Sequence, residues 1–290
     1  MFVDPYQVWI GVFFCYNMVM INFLHTFEPQ AILFKLGPFS VHWYGFLMVV
    51  GGLLGFYLIL QLAKRYKLNQ KFFHDLLIWW VIGAVIGARI YYVIYAWSMY
   101  QDNWLDIFKI WHGGLAIHGI ILGGFITTVI YCWIKKVDFW LTADLVVTGL
   151  VAAQIIGRVG NYFNQEIFGL PTSLSWGIPI SFLYRPVEYL NFEFFHPTFI
   201  YESLGNLIIL LILVALHFYR FKKEKWKAGN LFLIYLILYS ILRFSLEFFR
   251  IDFSPLVFDI RWAQLFSGVV IVLASGALIL RNILKYKETK

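Results

Sequence analysis

The chain has 290 residues, of which 61% are hydrophobic and 13% charged, and its mean hydropathy is +0.74. That balance excludes an ordinary soluble domain and marks an integral membrane protein. The net charge of +7 suits a nucleic-acid binder only where basic residues cluster on one surface; here they fall in alternate loops between apolar runs, so no nucleic-acid partner is expected.

Val8 to Leu24 is apolar enough to suggest a span, but it is short, is interrupted by Asn17 and Asn22, and lacks a basic flank. It also lacks the basic start and small-residue cleavage site of a secretory signal. Residues 1–19 are therefore read as an interfacial or disordered extension, dispensable for activity, ahead of a single membrane domain over 20–290. Cys15 and Cys132 lie in different apolar segments without metal-ligand spacing, so neither a disulfide nor a metal site is expected, and no cofactor either.

Runs long enough to span hydrocarbon, about 20 residues each, follow at 42–63, 76–97, 115–134, 143–163, 199–219, 229–249 and 262–281. They predict an all-α, polytopic membrane protein with seven transmembrane helices. Lys64, Arg65, Lys67 and Lys71 follow the first helix, Lys135 and Lys136 the third, Arg220, Lys222, Lys223, Lys225 and Lys227 the fifth, and Arg281, Lys285, Lys287 and Lys290 the seventh. By the positive-inside rule these loops are cytoplasmic, which puts the N-terminus outside and the C-terminus inside. The connector at 164–198, with Phe168, Trp176, Tyr189 and several prolines, then faces outward as a small interfacial cap between the fourth and fifth helices.

Within this topology the unusual polar residues share one leaflet. Tyr44 opens the first helix from outside, Arg89 lies in the outer half of the second, and His112 and His118 bracket the start of the third. Arg158 and Asn161 end the fourth, His196, Tyr201 and Glu202 begin the fifth, and Arg243, Glu247 and Arg250 occupy the outer end of the sixth. An arginine at the centre of a lipid-facing helix costs roughly 2.5–3.5 kcal/mol, so such residues normally face a protein interior, a cavity or a ligand. Helical spacing puts Arg243, Glu247 and Arg250 on one face and Arg158, Asn161 and Gln165 on another.

The arginines suit an anionic head group, since the guanidinium fork matches phosphate or carboxylate; the alternative is mutual neutralisation with Glu166, Glu202 and Glu247, and for Arg250 with Asp252. In His112-Gly113-Gly114-Leu115-Ala116-Ile117-His118-Gly119 the glycine pair permits close backbone approach or positive φ. His118 is either a hydrogen-bonded interior group or a proton carrier near neutral pH. Gly51/Gly55, Gly83/Gly87 and Gly119/Gly123 read as small-residue helix contacts. A transporter for an anionic solute is the rival class, but its polar residues should continue to the cytoplasmic side, where these helices carry few ionisable groups.

These residues together resemble the bacterial phosphatidylglycerol–prolipoprotein diacylglyceryl transferase family. Its signature, G-R-x-G-N-F-x-N-x-E-x-x-G, is matched by Gly157, Arg158, Gly160, Asn161, Asn164, Glu166 and Gly169, with Tyr162 in place of the usual Phe. The segments His42-Trp43-Tyr44-Gly45, Gly87-Ala88-Arg89, His112 to Gly119, His196-Pro197-Thr198 with Tyr201-Glu202, and Arg243 with Glu247 and Arg250 follow the family in order, and Gln264 fits the start of the last helix.

The resemblance implies an enzyme of the bacterial cytoplasmic (inner) membrane, working at the outer leaflet among membrane lipids. Its substrates would be phosphatidylglycerol and the lipobox cysteine of a prolipoprotein signal peptide. The diacylglyceryl group would pass to the cysteine thiol as a thioether, glycerol 1-phosphate would leave, and this would be the first step of lipoprotein maturation. It further implies that Arg158 and Arg243 bind the phosphate and that His118 is the base or orients one. Tyr44 and Asn161 would hydrogen-bond the head group, Glu166, Glu202 and Glu247 would fix the arginines, and Arg89, Gly169 and Arg250 would complete the substrate site.

Overall fold

The structure, a computed structural model, describes residues 24–222 and 226–288; the expected extension at 1–19 lies outside the described residues. Its helices of span-like composition are α1 (Trp43–Arg65), α2 (Gln70–Tyr95), α3 (Ile117–Lys135), α4 (Phe139–Phe163), α5 (Thr198–Lys222), α6 (Asn230–Leu246) and α7 (Trp262–Glu288). All but α6 are long and apolar enough to cross a membrane, which makes the chain a mostly helical, multi-pass membrane protein. The helix starts follow local chemistry. Asn69 accepts the Lys71 N–H at 2.9 Å before α2, and Asp138 accepts those of Trp140 and Leu141 at 2.8 and 3.2 Å in front of α4, satisfying donors that a helix start leaves unpaired.

α6 has 17 residues and stops short of the expected 229–249. Phe249 leaves the helix because its carbonyl accepts the Leu170 N–H at 2.8 Å, and Arg250 forms a bridge with Gly169. A tertiary partner for the backbone thus replaces the last intrahelical bonds.

The described chain falls into two compact units, with boundaries inside α1 and α4. Residues 57–146 make one, whose seam is the α2–α3 crossing. A Cβ on Gly87 would come within 2.4 Å of the Gly119 carbonyl oxygen, and one on Gly123 within 2.2 Å of the Gly83 carbonyl oxygen. Any side chain there would push the two helices apart, the close approach that small residues at helical spacing allow.

The other unit holds residues 24–56 with 147–222 and 226–288. Val147, Val151, Ile209, Leu213, Leu231 and Tyr235, from α4, α5 and α6, form its apolar core. A second core, built on Tyr162, Phe168, Ile178, Ile180, Phe195 and Phe199, lies under the connector at 164–198. Three short antiparallel ribbons belong to this unit: β1 (Ile32–Leu36) with β2 (Phe39–His42), β3 (Ile178–Pro179) with β4 (Phe194–Phe195), and β5 (Leu256–Val257) with β6 (Ile260–Arg261). The connector is therefore a folded segment: Phe195 is completely buried, worth roughly 1.5–3 kcal/mol, and ties β4 to the base of α5.

Candidate active site

The signature begins on the last turns of α4. Its Gly160 is where Tyr44, at the start of α1, lies against the helix: a Cβ on Gly160 would meet Tyr44 Cδ2 at 2.9 Å. Absence of a side chain there lets the Tyr44 ring pack on α4 at the residue that precedes Asn161. α4 ends at Phe163, and the backbone then turns through positive φ at Gln165 and Ile167. Gln165 consequently leaves the face it was expected to share with Arg158 and Asn161. Buried, it donates from Nε2 to the Pro29 carbonyl at 3.3 Å and accepts the Ser181 N–H at 2.7 Å, pinning the connector. The same reversal folds Glu166 back onto the asparagines, where its Oε1 accepts from Asn161 Nδ2 at 2.9 Å and Asn164 Nδ2 at 3.2 Å. Glu166 thus orients Asn161, in place of the arginine partner expected for it.

Two buried glutamates organise the arginines. Glu202, on the second turn of α5, pairs with Arg158 Nη2 at 2.6 Å and lies 3.7 Å from Arg250 Nη1. Glu247, just past α6, pairs with Arg243 at 3.0 Å and with Arg261 Nε at 3.0 Å. Both carboxylates are almost wholly buried, 1% and 2% exposed, whereas Arg158 and Arg243 keep 23% and 22% of their side chains accessible. The expected face of Arg243 and Glu247 is formed. Arg250 leaves it with the end of the helix, and its guanidinium pairs with Asp252.

Charge counting gives the site its sign. Four guanidinium groups, Arg158, Arg243, Arg250 and Arg261, meet two buried carboxylates and the half-exposed Asp252, so one positive charge remains in excess. In a low-dielectric setting such an excess favours a monoanion held by bidentate hydrogen bonds.

Gly169 closes the signature between two strands of chain. Its N–H donates to the His196 carbonyl at 2.8 Å, and a Cβ would come within 2.6 Å of the Phe249 carbonyl oxygen. That contact sets where the α6 end, with Arg250, lies. His196 in turn shares a hydrogen bond of 3.1 Å with the Tyr201 hydroxyl, which also accepts from Trp176 Nε1 at 2.8 Å. Burial lowers the His196 pKa below its ordinary value.

Arg89 and His118 belong to the other unit. Arg89 is 7% exposed, and its guanidinium donates to the carbonyls of Ile107 at 2.7 Å, Asp106 at 2.7 Å, Gly113 at 2.8 Å and Gly114 at 3.0 Å. The structure therefore brings Arg89 to the loop before α3. Both features foreseen for the glycine pair occur: Gly113 and Gly114 have φ of 86° and 77°, and a Cβ on Gly114 would meet Arg89 Nη1 at 2.6 Å. His118 lies exposed on the first turn of α3 and stacks on Tyr91 with ring centroids 5.5 Å apart.

Comparison with known proteins shows what kind of scaffold carries these groups. The sequence model of the family described as prolipoprotein diacylglyceryl transferase matches residues 31–280. The chain belongs to that family. It is 44% identical to the phosphatidylglycerol–prolipoprotein diacylglyceryl transferase of a Nostoc species, over 88% of this chain and 90% of the relative. Identity to the proteins of the same name from Thermotoga maritima and a Synechocystis species is 40% and 39%, over 93% and 87% of this chain and 92% and 89% of theirs.

Within this transferase scaffold, sequence reasoning missed two site residues. Tyr239 donates to Glu202 Oε1 at 3.2 Å and also meets Arg158; it stands one turn before Arg243, so extending the Arg243–Glu247 face by four residues would have found it. Arg261 reaches Glu247 and also the carbonyls of Glu247, Arg250 and Asp252. Those contacts depend on the turn between β5 and β6, where Phe258 and Asp259 have positive φ, and the sequence carries no comparable signal.

Proposed function

We propose that the protein transfers the diacylglyceryl group of phosphatidylglycerol to the thiol of a lipobox cysteine in a prolipoprotein. The observation that carries this reading is the pair of partly accessible arginines, each held by a buried glutamate, in a cluster with one positive charge in excess. Phosphatidylglycerol offers a phosphodiester of one negative charge to match it. In the reaction the thiol loses its proton, sulfur bonds to a glycerol carbon, and the bond from that carbon to a phosphate oxygen breaks. The departing glycerol 1-phosphate then gains a second negative charge. That charge develops on the phosphate assigned to Arg158 and Arg243, and removing one such donor typically costs about 10²–10³ in rate.

Tyr44 and Asn161 supply hydrogen bonds to the head group, the latter oriented by Glu166. Glu202 and Glu247 hold the arginines, Arg250 and Gly169 complete the rim, and Arg89 serves by holding the loop that leads to His118. His118, exposed on the first turn of α3, accepts the thiol proton or orients the group that does.

In this reading α6 is completed as a seventh span by the turn after it. The N-terminus lies outside, the C-terminus lies in the cytoplasm, the connector at 164–198 caps the outer face, and the site faces the outer leaflet of the cytoplasmic membrane. Residues 1–19 are dispensable for transfer. The test is purified protein in vesicles with labelled phosphatidylglycerol and a lipobox peptide. Thioether-linked diacylglyceryl peptide with an equal amount of glycerol 1-phosphate is the expected result; lipid release without peptide modification would overturn the assignment.

A further inference from the structure

A second polar layer lies one helical turn beneath Arg158, Glu202 and Tyr239. Gln154 stands four residues before Arg158, Asn206 four after Glu202, and Tyr235 four before Tyr239, so on each helix the deeper residue shares the face of the one above. Gln154 Nε2 donates to the Tyr235 hydroxyl at 3.4 Å, and Ser203 Oγ to the Ile155 carbonyl at 2.8 Å, tying α4 to α6 and α5 at this level. Val151, Ile209 and Leu231 close the layer below with apolar packing.

Asn206 is the unusual member. It is completely buried, and among the described residues neither Oδ1 nor Nδ2 of its side chain has a hydrogen-bond partner. Leaving an amide buried and unpaired is costly, and a leucine of similar volume would carry no such cost. Directly above it, Glu202 Oε2 also makes no hydrogen bond and lies 3.7 Å from Arg250 Nη1.

Two unmet needs therefore lie one turn apart on the same face of α5. Before substrate arrives, Glu202 holds Arg158 at 2.6 Å. A phosphate competes for the same guanidinium. When Arg158 shares itself, Glu202, 1% exposed, becomes a buried carboxylate short of donors, a state that is strongly disfavoured unless a donor replaces the lost one. Tyr239 supplies one hydrogen bond. The Asn206 amide carries two N–H groups on the same helix face.

We propose that Asn206 is a positioning residue, the partner that Glu202 takes up when Arg158 turns to the phosphate. This rests on the phosphate-clamp reading given above. Asn206 touches neither substrate nor reacting atoms; it makes the release of Arg158 from Glu202 inexpensive.

The test compares wild-type protein with Asn206→Leu in phosphatidylglycerol vesicles with a lipobox peptide, measuring both KM values and the thermal midpoint. The expected result is a KM for phosphatidylglycerol raised about tenfold, the size of one hydrogen bond to a charged group. The peptide KM stays unchanged, and the thermal midpoint equals or exceeds that of wild type. A residue kept only for packing gives the opposite pattern, a lowered midpoint with both KM values unchanged, and that overturns the proposal. Should Asn206→Leu not fold, Asn206→Gln and Asn206→Ala decide: recovery of the wild-type lipid KM by Gln but not by Ala supports the role, while equal KM values, or failure of all three to fold, overturn it. If wild-type protein forms no thioether, the clamp reading itself has failed, which is seen before any variant is compared.

Discussion

Arg89 and Arg158 look alike in sequence, each an arginine after a small residue in an apolar helix, yet the structure employs them differently. Arg89 is buried and spends its donors on four backbone carbonyls of one loop. Arg158 is 23% exposed and is held by a carboxylate that is 1% exposed. Neutral carbonyls fixed in a loop leave an arginine nothing to exchange. A buried carboxylate instead presents a charged fork to the accessible side, where a second anion can share it. The residue type signals that an intramembrane arginine has a partner; the partner decides whether it is scaffold or site.

The largest effect should come from removing the shared forks. Arg158→Ala and Arg243→Ala are expected to lower transfer by at least about 10²-fold with the protein still inserted in the membrane at normal levels. Arg243→Lys should also be impaired, because an ammonium does not reproduce the bidentate geometry. Turnover close to wild type in either alanine variant would remove Arg158 and Arg243 from the reaction.

Arg89→Ala should separate the two kinds of arginine. It strips hydrogen bonds from several loop carbonyls and is expected to destabilise its unit by roughly 3 kcal/mol. Lower steady-state level and faster proteolysis at 104–116 would show this, with the surviving folded fraction retaining the lipid KM of wild type. A stable Arg89→Ala protein with a greatly raised lipid KM would place Arg89 with the phosphate ligands.

His118→Gln keeps hydrogen bonding but loses basicity, and is expected to depress the transfer rate with the lipid KM unchanged. Full activity from about pH 6 to about pH 9 would make His118 a packing residue. His25, His74 and His217 should tolerate the same change.

The smallest expected effect concerns His196. Burial lowers its pKa in the folded protein, so the unfolded chain binds its proton more readily. Its contribution to stability is present above the unfolded value of about 6.5 and is lost as pH falls toward the folded value. Proteolytic resistance of the 164–198 connector should therefore decline modestly below about pH 6.5, and less so in His196→Asn. An identical decline in both proteins would mean that other groups set it.

Much of this arrangement was legible in the sequence, for physical reasons that differ by residue. Six of the seven expected spans correspond to helices of crossing length because composition over about 20 residues is a local property. The Arg243–Glu247 pair follows from helical spacing alone. What failed lay at helix ends. Gln165 and Arg250 were placed by continuing a helical face and Glu166 was expected beside the arginines, but α4 stops at Phe163 in a turn with Gln165 at positive φ, and α6 stops at Leu246, beyond which the Phe249 carbonyl takes the distant Leu170 N–H. The Arg261 contacts were out of reach because they depend on a tight turn and on carbonyls rather than on a charge pattern.

The central claim, that Arg158 and Arg243 grip a phosphodiester while Arg89 does not, is tested most directly by lipid binding. Purified wild type, Arg158→Ala, Arg243→Ala and Arg89→Ala would each be equilibrated in nanodiscs with phosphatidylglycerol and neutral diacylglycerol, and the lipid retained on the protein measured by mass spectrometry. The expected result is a preference for phosphatidylglycerol in wild type and Arg89→Ala that disappears in the other two variants. An undiminished preference in Arg158→Ala and Arg243→Ala, or its loss only in Arg89→Ala, would contradict it.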